Sequence, residues 1–292
     1  MKILVTGATG HFGKANIDLL LKKGYPATSI AALVRDESKA GSIKATGVEI
    51  RTGDYEDYSS LVKAFSGIDK LLLVSSNDLN NRSAQQANAV KAAREAGVNY
   101  ILYTSFVRKD ESEASPIAFV SQSHIATEEL IRESGLAYTI FRNNLYLDYV
   151  PVFIGDKVLE NGIYWPAGTT PGAYALREEM AESAANVLTG NGHENKTYNI
   201  SNTRSWTFQE VAGLISKITG KEISYFSPSQ QEYKSTLSQA GVPGQYITMF
   251  AGFAEAIRLG EFDSAADSDL DTLLGRTPTS LEAYLEKVYG NR

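Results

Sequence analysis

A strand, a glycine-rich turn and the start of a helix follow one another at the beginning of the chain. Positions 2–13 read KILVTGATGHFG, and the helix-forming run 15–23 comes next. Gly7 permits a tight turn, Gly10 lets a phosphate approach the backbone, and Gly13 lets the helix pack closely on the strand. Unpaired N–H groups at the helix start then favour an anion. The motif predicts a dinucleotide-binding turn whose contacts are Gly7, Thr9, Gly10, His11, Phe12 and Gly13.

Composition excludes several other kinds of chemistry. The chain has 292 residues, of which 43% are hydrophobic and 21% charged, as in an ordinary globular protein. A net charge of −6 argues against direct nucleic-acid binding. The absence of cysteine excludes disulfides, thiolate nucleophiles and cysteine-bound clusters. The three histidines, at 11, 124 and 193, are too scattered to suggest a metal site, and we expect none.

Hydropathy and the position of the first strand give expectations about location. No apolar run reaches the roughly 18 residues that a membrane-spanning helix needs. The first strand begins at position 3, which leaves no room for a signal peptide before the fold. We therefore expect a cytoplasmic protein without a membrane partner.

Short apolar runs alternate with longer amphipathic stretches through the first half of the chain. The predicted strands are Ile3–Thr6, Ile30–Val34, Val48–Thr52, Lys70–Ser75, Tyr100–Thr104 and Tyr138–Arg142. The predicted helices are Phe12–Lys23, Tyr58–Phe65, Ala84–Ala96 and Val120–Ser134. Runs that are short, rich in Val, Ile and Leu and apolar on both faces are typical of buried parallel strands. The alternation predicts an α/β fold with a Rossmann-type doubly wound parallel sheet.

The rhythm changes after about residue 142. We predict helices at Asn144–Leu159 (interrupted near Pro151), Leu176–Leu188, Phe208–Thr219, Ser229–Ala240 and Gln245–Leu259, and a short strand at Tyr198–Ile200. Thr207 and Glu210 have the spacing of a capping box. We therefore expect a dinucleotide-binding domain over residues 1–144. Residues 145–292 are predicted to form a smaller, mostly helical substrate region, with the segment near 198–200 returning to the sheet.

The end of the second predicted strand bears on the choice of cofactor. Arg35 and Asp36 lie about twenty residues after the glycine turn. At this place an acid binds the ribose 2′-hydroxyl of NAD, whereas an arginine pairs with the 2′-phosphate of NADP. We favour NADP over NAD because Arg35 directly ends the apolar run and Asp36 can cap the next helix. The competing interpretation is a solvated Arg–Asp pair.

Two further strand ends are candidate cofactor contacts. Asp54 and Tyr55 follow the third strand, where Asp54 would accept from the adenine amino group and Tyr55 would cover the ring; a plain turn with a helix cap is the alternative. Ser75 and Ser76 end the fourth strand, which places them at the topological switch point if the predicted strand order holds.

These segments together resemble the short-chain dehydrogenase/reductase superfamily, and within it the atypical NmrA-like branch that includes type-2 NAD(P)H:quinone oxidoreductases and triphenylmethane reductases. The resemblance covers nearly the whole chain. It implies a Rossmann domain that prefers NADPH and a small C-terminal substrate region. It rests on VTGATGHFG (5–13), VRD (34–36), GDY (53–55), YTS (103–105), HIATE (124–128), RNNLY (142–146), GHENKTYN (192–199) and WTF (206–208).

The chain departs from the superfamily at the usual proton relay. Most members place a Tyr four residues before a Lys on the helix after the fifth strand, and the Tyr passes the proton. Aligning Ser123-His124-x-x-x-Glu128 with the usual Ser-Lys-x-x-x-Glu puts His124 at the lysine and Val120 at the tyrosine. Since valine has no proton to give, the departure disfavours an alcohol dehydrogenase or sugar epimerase. The same absence is usual in the quinone reductase branch.

The candidate catalytic residues are His124, Asn143, Tyr146 and Ser105. Ser105 would donate to a carbonyl, and His124 would orient the nicotinamide ribose or act as a weak acid. Asn143, Asn144 and Tyr146 would bind the nicotinamide amide or a quinone oxygen. The structural alternatives are a strand-end cap for Ser105, a packed helix histidine for His124, a helix cap for the two asparagines and a core tyrosine for Tyr146. An apolar wall for a flat ring is expected from Phe106, Tyr149, Trp165 and Phe253, although each of these residue types taken alone is more often core than pocket.

Two functions remain open from the sequence. The first is an NADPH-dependent reductase that passes hydride directly to quinones, triphenylmethane-type dyes or similar electron-poor aromatics. The second is a non-catalytic NADP-sensing regulator of the NmrA-like kind. Reduction of a carbon–carbon double bond, as in isoflavone reductases, is disfavoured because that branch uses a lysine where His124 stands. The compact second half favours the enzyme, with a small aromatic or quinone acceptor as partner, and a two-fold homodimer is the commonest assembly.

Overall fold

The computed structural model describes residues 1–290. Its strands are β1 (Ile3–Val5), β2 (Ile30–Val34), β3 (Glu49–Thr52), β4 (Lys70–Leu73), β5 (Tyr100–Phe106), β6 (Ala137–Asn143), β7 (Ile163–Tyr164), β8 (Lys196–Ile200) and β9 (Tyr225–Phe226). Its α-helices are α1 (His11–Lys22), α2 (Gly41–Lys44), α3 (Tyr58–Phe65), α4 (Arg82–Glu95), α5 (Ala118–Glu133), α6 (Val150–Ile154), α7 (Val158–Asn161), α8 (Arg177–Thr189), α9 (Phe208–Thr219), α10 (Gln230–Gln239), α11 (Gly244–Arg258), α12 (Leu270–Leu274) and α13 (Leu281–Tyr289).

The main sheet has the strand order β3-β2-β1-β4-β5-β6-β8. The ladders from β3 through to β6 are all parallel. Strand order reverses between β1 and β4, which creates a switch point at the carboxyl ends of these two strands. The α/β fold with a Rossmann-type doubly wound sheet is therefore confirmed.

The chain divides into two compact units. Of the described residues, the first unit comprises 1–106, 119–143 and 178–198, and the second comprises 107–118, 144–177 and 199–290. In the first unit, Leu4, Leu71 and Ile101 of the sheet pack with Phe65 of α3 and Val90 of α4 in one buried cluster. This apolar layer fixes the strand ends on which the candidate site is built.

The second unit is mostly helical, with β7 and β9 forming a separate two-stranded parallel sheet. Helix α9 begins with the predicted capping box, in which Thr207 and Glu210 each bond the other's backbone N–H. Trp165 is fully buried among Phe208 and Tyr233. Aromatic packing thus supplies much of the core of this unit.

The predicted long helix over Asn144–Leu159 is wrong. The structure has the short helices α6 and α7 instead, after a 3₁₀ turn at Leu147–Tyr149. Pro151 lies in the first turn of α6, where its missing N–H costs nothing. The break comes at Gly155, whose φ of 82° ends α6. Helices α12 and α13 were not anticipated.

Two other results refine the sequence expectations. Strand β5 runs two residues further than predicted, so that Ser105 and Phe106 still belong to the sheet.

Within residues 1–290, no helix has both the length and the apolar character needed to cross a membrane.

Candidate functional site

The glycine turn after β1 has the geometry of a phosphate cradle. Gly7 has a φ of 57°, in the left-handed region that favours glycine. A Cβ atom on Gly13 would lie 2.4 Å from the carbonyl oxygen of Gly7, so no side chain fits there. Helix α1 begins at His11, with Gly10 as its N-cap, no side-chain cap and no acid in its first turn. Its first N–H groups are therefore available to an anion.

The other residues of the turn divide between surface and core. Thr9 and His11 are exposed, whereas Phe12 is buried and anchors α1 to the first unit. This arrangement leaves Thr9, Gly10 and His11 on the side from which a pyrophosphate would approach.

Arg35 and Asp36 at the end of β2 have different environments. The Asp36 carboxylate accepts hydrogen bonds from the backbone N–H and the hydroxyl of Ser38, at 3.0 and 2.6 Å, which confirms its predicted capping role. These bonds lower the pKa of Asp36. Arg35 is exposed and makes no hydrogen bond or ion pair with any described residue. The cation is thus open to a ligand, whereas one oxygen of the acid, Oδ1, is engaged by Ser38.

After β3, Asp54 makes a local contact, whereas Tyr55 reaches residues that follow β1 and β4. The Asp54 carboxylate accepts from the N–H of Glu56 at 3.0 Å, in a local turn. The Tyr55 hydroxyl lies 2.6 Å from Thr6 Oγ1 and 2.9 Å from the carbonyl of Val74, and burial raises its pKa. Tyr55 is therefore held as a neutral phenol between the carboxyl ends of β1 and β4.

The β4–α4 loop at the switch point is held by hydrogen bonds to side chains of β5 and α4. The Ser75 N–H donates to Thr104 Oγ1 at 2.9 Å. The Ser76 N–H donates to Gln86 Oε1 at 3.3 Å, and the Ser76 hydroxyl donates to Gln85. Both predicted serines therefore lie in a hydrogen-bonded loop that follows β4, the strand next to β1 and its glycine turn.

His124 is buried in α5, with both ring nitrogens in contact with polar atoms. Nδ1 lies 2.7 Å from the Tyr103 hydroxyl, and Nε2 lies 3.4 Å from Nη1 of Arg82. The ring of Phe106 stacks against the imidazole, with 6.0 Å between centroids. Tyr103 and Arg82 were not identified from the sequence, because nothing in the local pattern of β5 or α4 indicates that they meet His124.

Ser105 belongs to a buried ionic cluster. Its hydroxyl donates to Glu128, a fully buried carboxylate that also accepts from Arg142 at 2.7 Å and Arg132 at 3.1 Å. The Ser105 proton is thus directed at Glu128 in this structure. This partner was not anticipated from the sequence.

Asn143 ends β6 and carries a buried amide without partners. The residue is 2% exposed, and neither Nδ2 nor Oδ1 has a hydrogen-bond partner among the described residues. Asn144, by contrast, donates through Nδ2 to Ser201, Phe262 and Ser264 within the second unit. Of the two amides, only that of Asn143 remains available to a ligand.

Tyr146 belongs to the second unit and lies in an aromatic series. The Arg177 guanidinium lies 5.2 Å from the Tyr146 ring centroid and 5.6 Å from that of Tyr149. Tyr149 is followed by Phe153, which in turn stacks on Trp165 at 5.0 Å. Phe253 also contacts Phe153, at 6.4 Å between ring centroids. Three of the four aromatics expected to form a wall, Tyr149, Trp165 and Phe253, therefore each contact Phe153. Phe153 itself was not predicted from the sequence.

No group of three or more metal-ligating side chains occurs in the part of the chain that the structure describes. The first unit instead brings together the glycine turn, Arg35, the Ser75–Ser76 loop, His124 and Asn143 as residues of strand ends and of the loops and helices that follow them. Such an arrangement can bind an extended anion at one end and offer a buried amide at the other.

Comparisons with known proteins agree with this geometry. A model of the NmrA-like family matches residues 1–285. Quinone oxidoreductase 2 of Escherichia coli is 35% identical over 281 residues, covering 96% of each chain. The structure of Citrobacter sp. triphenylmethane reductase complexed with NADP(H) has a TM-score of 0.88 and 38% identity, covering 98% of this chain and 99% of that one. The Escherichia coli NADPH-dependent quinone oxidoreductase complexed with NADPH has a TM-score of 0.90 and 31% identity, with the same coverage.

Proposed function

The chain belongs to the NmrA-like family, and from this membership we propose that it is an NADPH-dependent reductase of quinones or similar electron-poor aromatic acceptors. The observation that carries the proposal is the match with Escherichia coli quinone oxidoreductase 2, which spans 96% of both chains at 35% identity. A match of this extent includes both the glycine turn and the second unit, so it concerns the acceptor side as well as the cofactor side.

The residues of the first unit fit NADPH. The N–H groups at the start of α1 would bind the pyrophosphate, since Gly7 and Gly13 leave no side chain in the way. The open guanidinium of Arg35 would pair with the 2′-phosphate. Asp36 has one carboxylate oxygen, Oδ1, bound by Ser38, which reduces its capacity to accept from a ribose hydroxyl. These contacts support NADPH over NADH.

The amide of Asn143 is suited to the nicotinamide end. A buried amide without partners costs about 1–3 kcal/mol, a cost that a ligand removes by pairing with it. Nδ2 would donate to, and Oδ1 would accept from, the carboxamide of the nicotinamide. An acceptor oxygen is the alternative partner for Nδ2.

Hydride is the chemistry that the nicotinamide supplies when bound. The protein's part is then to orient the two rings and to exclude water. Val120, buried one turn before His124, offers no proton, and we propose that none is needed from this position. A quinone or a cationic dye spreads the added charge over its conjugated system, so solvent can complete protonation. Within the second unit, Tyr149, which is 42% exposed, would offer an aromatic face to such a ring, whereas Trp165 belongs to the core.

The test is oxidation of NADPH and of NADH with a panel of quinones and triphenylmethane dyes. We expect turnover with several acceptors and a clear preference for NADPH. Tight NADPH binding without turnover on any acceptor would reject the reductase and favour the regulator.

A further inference from the structure

Arg82 connects the β4–α4 loop to the helix that carries His124. It is the first residue of α4 and is only 8% exposed. Its Nε donates to the carbonyl of Ser76 at 2.6 Å, and its Nη1 lies 3.4 Å from Nε2 of His124. One guanidinium therefore contacts both a loop and an imidazole at the switch point.

The contact with Arg82 decides which nitrogen of His124 carries the proton. A guanidinium has five N–H donors and no acceptor, so Nε2 must offer its lone pair to Nη1. The proton of the neutral ring then lies on Nδ1, which faces the Tyr103 hydroxyl at 2.7 Å. The second ring nitrogen thus donates because the first accepts.

The surrounding hydrogen bonds are consistent with this direction. Tyr103 is neutral, because burial raises its pKa, and Thr127 and Gln86 lie beside its hydroxyl. Thr127 in turn donates to the carbonyl of Ser123 at 2.7 Å and accepts from Gln86 Nε2 at 2.7 Å. If Nδ1–H of His124 donates to Tyr103, the Tyr103 proton is left for Thr127, and the Thr127 proton goes to the carbonyl of Ser123. In this direction no two donors face each other.

The charges that face His124 disfavour a second proton on the ring. Arg82 approaches from α4, whereas Tyr103 and Phe106 approach from β5. Glu128 lies one turn further along α5, and its carboxylate is already bound by Ser105 and two arginines. Protonating Nε2 would therefore place two cations 3.4 Å apart.

We propose that Arg82 is a positioning residue that holds His124 as a neutral imidazole with Nε2 unprotonated, and that ties the Ser76 loop to α5. His124 then offers a lone pair, or through Nδ1 a fixed hydrogen bond to Tyr103, and it is not a proton donor from Nε2. Only the consequence for turnover depends on the proposed reductase activity; the state of the imidazole does not.

The direct test is nitrogen-15 NMR of the imidazole rings at neutral pH. The chain has three histidines, and His124→Asn assigns the His124 signals by their loss. We expect a proton on Nδ1 and none on Nε2 in the unmodified protein. A proton on Nε2, or a cationic ring, would overturn the proposal without any reference to activity.

Variants at Arg82 test the cause. In Arg82→Gln, we expect the midpoint of His124 titration to rise by about one pH unit or more, because a neighbouring cation is gone. Arg82→Lys keeps a positive charge and should keep the midpoint low, while losing the bond to Ser76. Arg94→Gln, which removes an exposed arginine from the last turn of α4, is the matched control and should leave His124 unchanged. An unchanged midpoint in folded Arg82→Gln would reject the role.

The pH profile of turnover supplies the kinetic readout. We expect the rate of the unmodified protein to be flat across the imidazole range, whereas Arg82→Gln should lose activity as His124 becomes cationic. Identical profiles would contradict the positioning role. If no acceptor is turned over at all, the reductase proposal fails, and the NMR result still decides the state of His124.

Discussion

Arg35 and Asp36 are adjacent at the end of β2, but only Asp36 is hydrogen-bonded within the described residues. The Asp36 carboxylate is held by Ser38 at 2.6 and 3.0 Å, while the Arg35 guanidinium has no partner among the described residues. An open cation beside an acid whose Oδ1 is already bound favours a 2′-phosphate over a 2′-hydroxyl. The first prediction concerns this pair.

Replacing Arg35 by Ala should weaken NADPH binding by about tenfold or more, because a charge-assisted bond to phosphate is worth about 1.5–3 kcal/mol. NADH, which lacks the phosphate, should be little affected. Titration calorimetry with both dinucleotides measures the difference, and Arg94→Ala serves as control. Equal losses for the two cofactors would remove Arg35 from the site.

Gly13→Ala should impair both folding and cofactor binding. Its Cβ would meet the Gly7 carbonyl at 2.4 Å, and relieving that overlap moves the turn, at a cost of about 1–3 kcal/mol. Gly213→Ala in α9 is the matched control, because no atom beyond the local helix backbone lies within 4 Å of the added carbon and alanine favours a helix. Thermal unfolding of the two variants should shift in opposite directions. A Gly13→Ala protein as stable as the parent would refute the packing argument.

Asn143 and its neighbour predict a contrast between activity and stability. Asn143→Leu removes two unpaired polar atoms, so stability should hold or rise, while kcat/KM should fall at least about tenfold. Asn144→Leu breaks the bonds to Ser201, Phe262 and Ser264 and should lower the free energy of unfolding by about 2–3 kcal/mol. Denaturant unfolding and steady-state kinetics separate the two effects. Full activity in Asn143→Leu would assign that residue to the scaffold.

His193 predicts a loss of stability in acid. Partial burial lowers its pKa below the ordinary value of 6.5, with Lys196 acting in the same direction. The unfolded chain therefore binds the proton more readily, and the free energy of unfolding should fall as the pH drops below about 6.5. His193→Gln should flatten this part of the stability curve. An unchanged slope would show that other groups cause it.

The sheet and most helices were predictable because their signals are local. Strand Ile30–Val34 and helices Tyr58–Phe65 and Phe208–Thr219 have the predicted bounds, since each has a clear apolar run or cap. The start of the segment after Asn143 was not, because the N–H groups of Asn144 and Leu147 bond to the distant carbonyls of Ile200 and Ala175 and not within a helix.

The candidate site divides in the same way. The glycine turn and Arg35 follow from spacing along the chain. Arg82 and Tyr103 reach His124 only through contacts between α4, β5 and α5. The amide of Asn143 is unpaired because no polar atom of the described residues lies within hydrogen-bonding distance, which depends on the tertiary structure. No pattern within a short window records such relationships.

The central claim is tested most directly by anaerobic incubation of the protein with NADPH and a quinone, measuring NADP⁺ and quinol together. We predict that the two products appear in equal amounts, and that Arg35→Ala slows their formation at low NADPH while saturating NADPH restores it. NADPH that binds yet is consumed no faster than in the absence of protein, across the whole acceptor panel, would contradict the reductase.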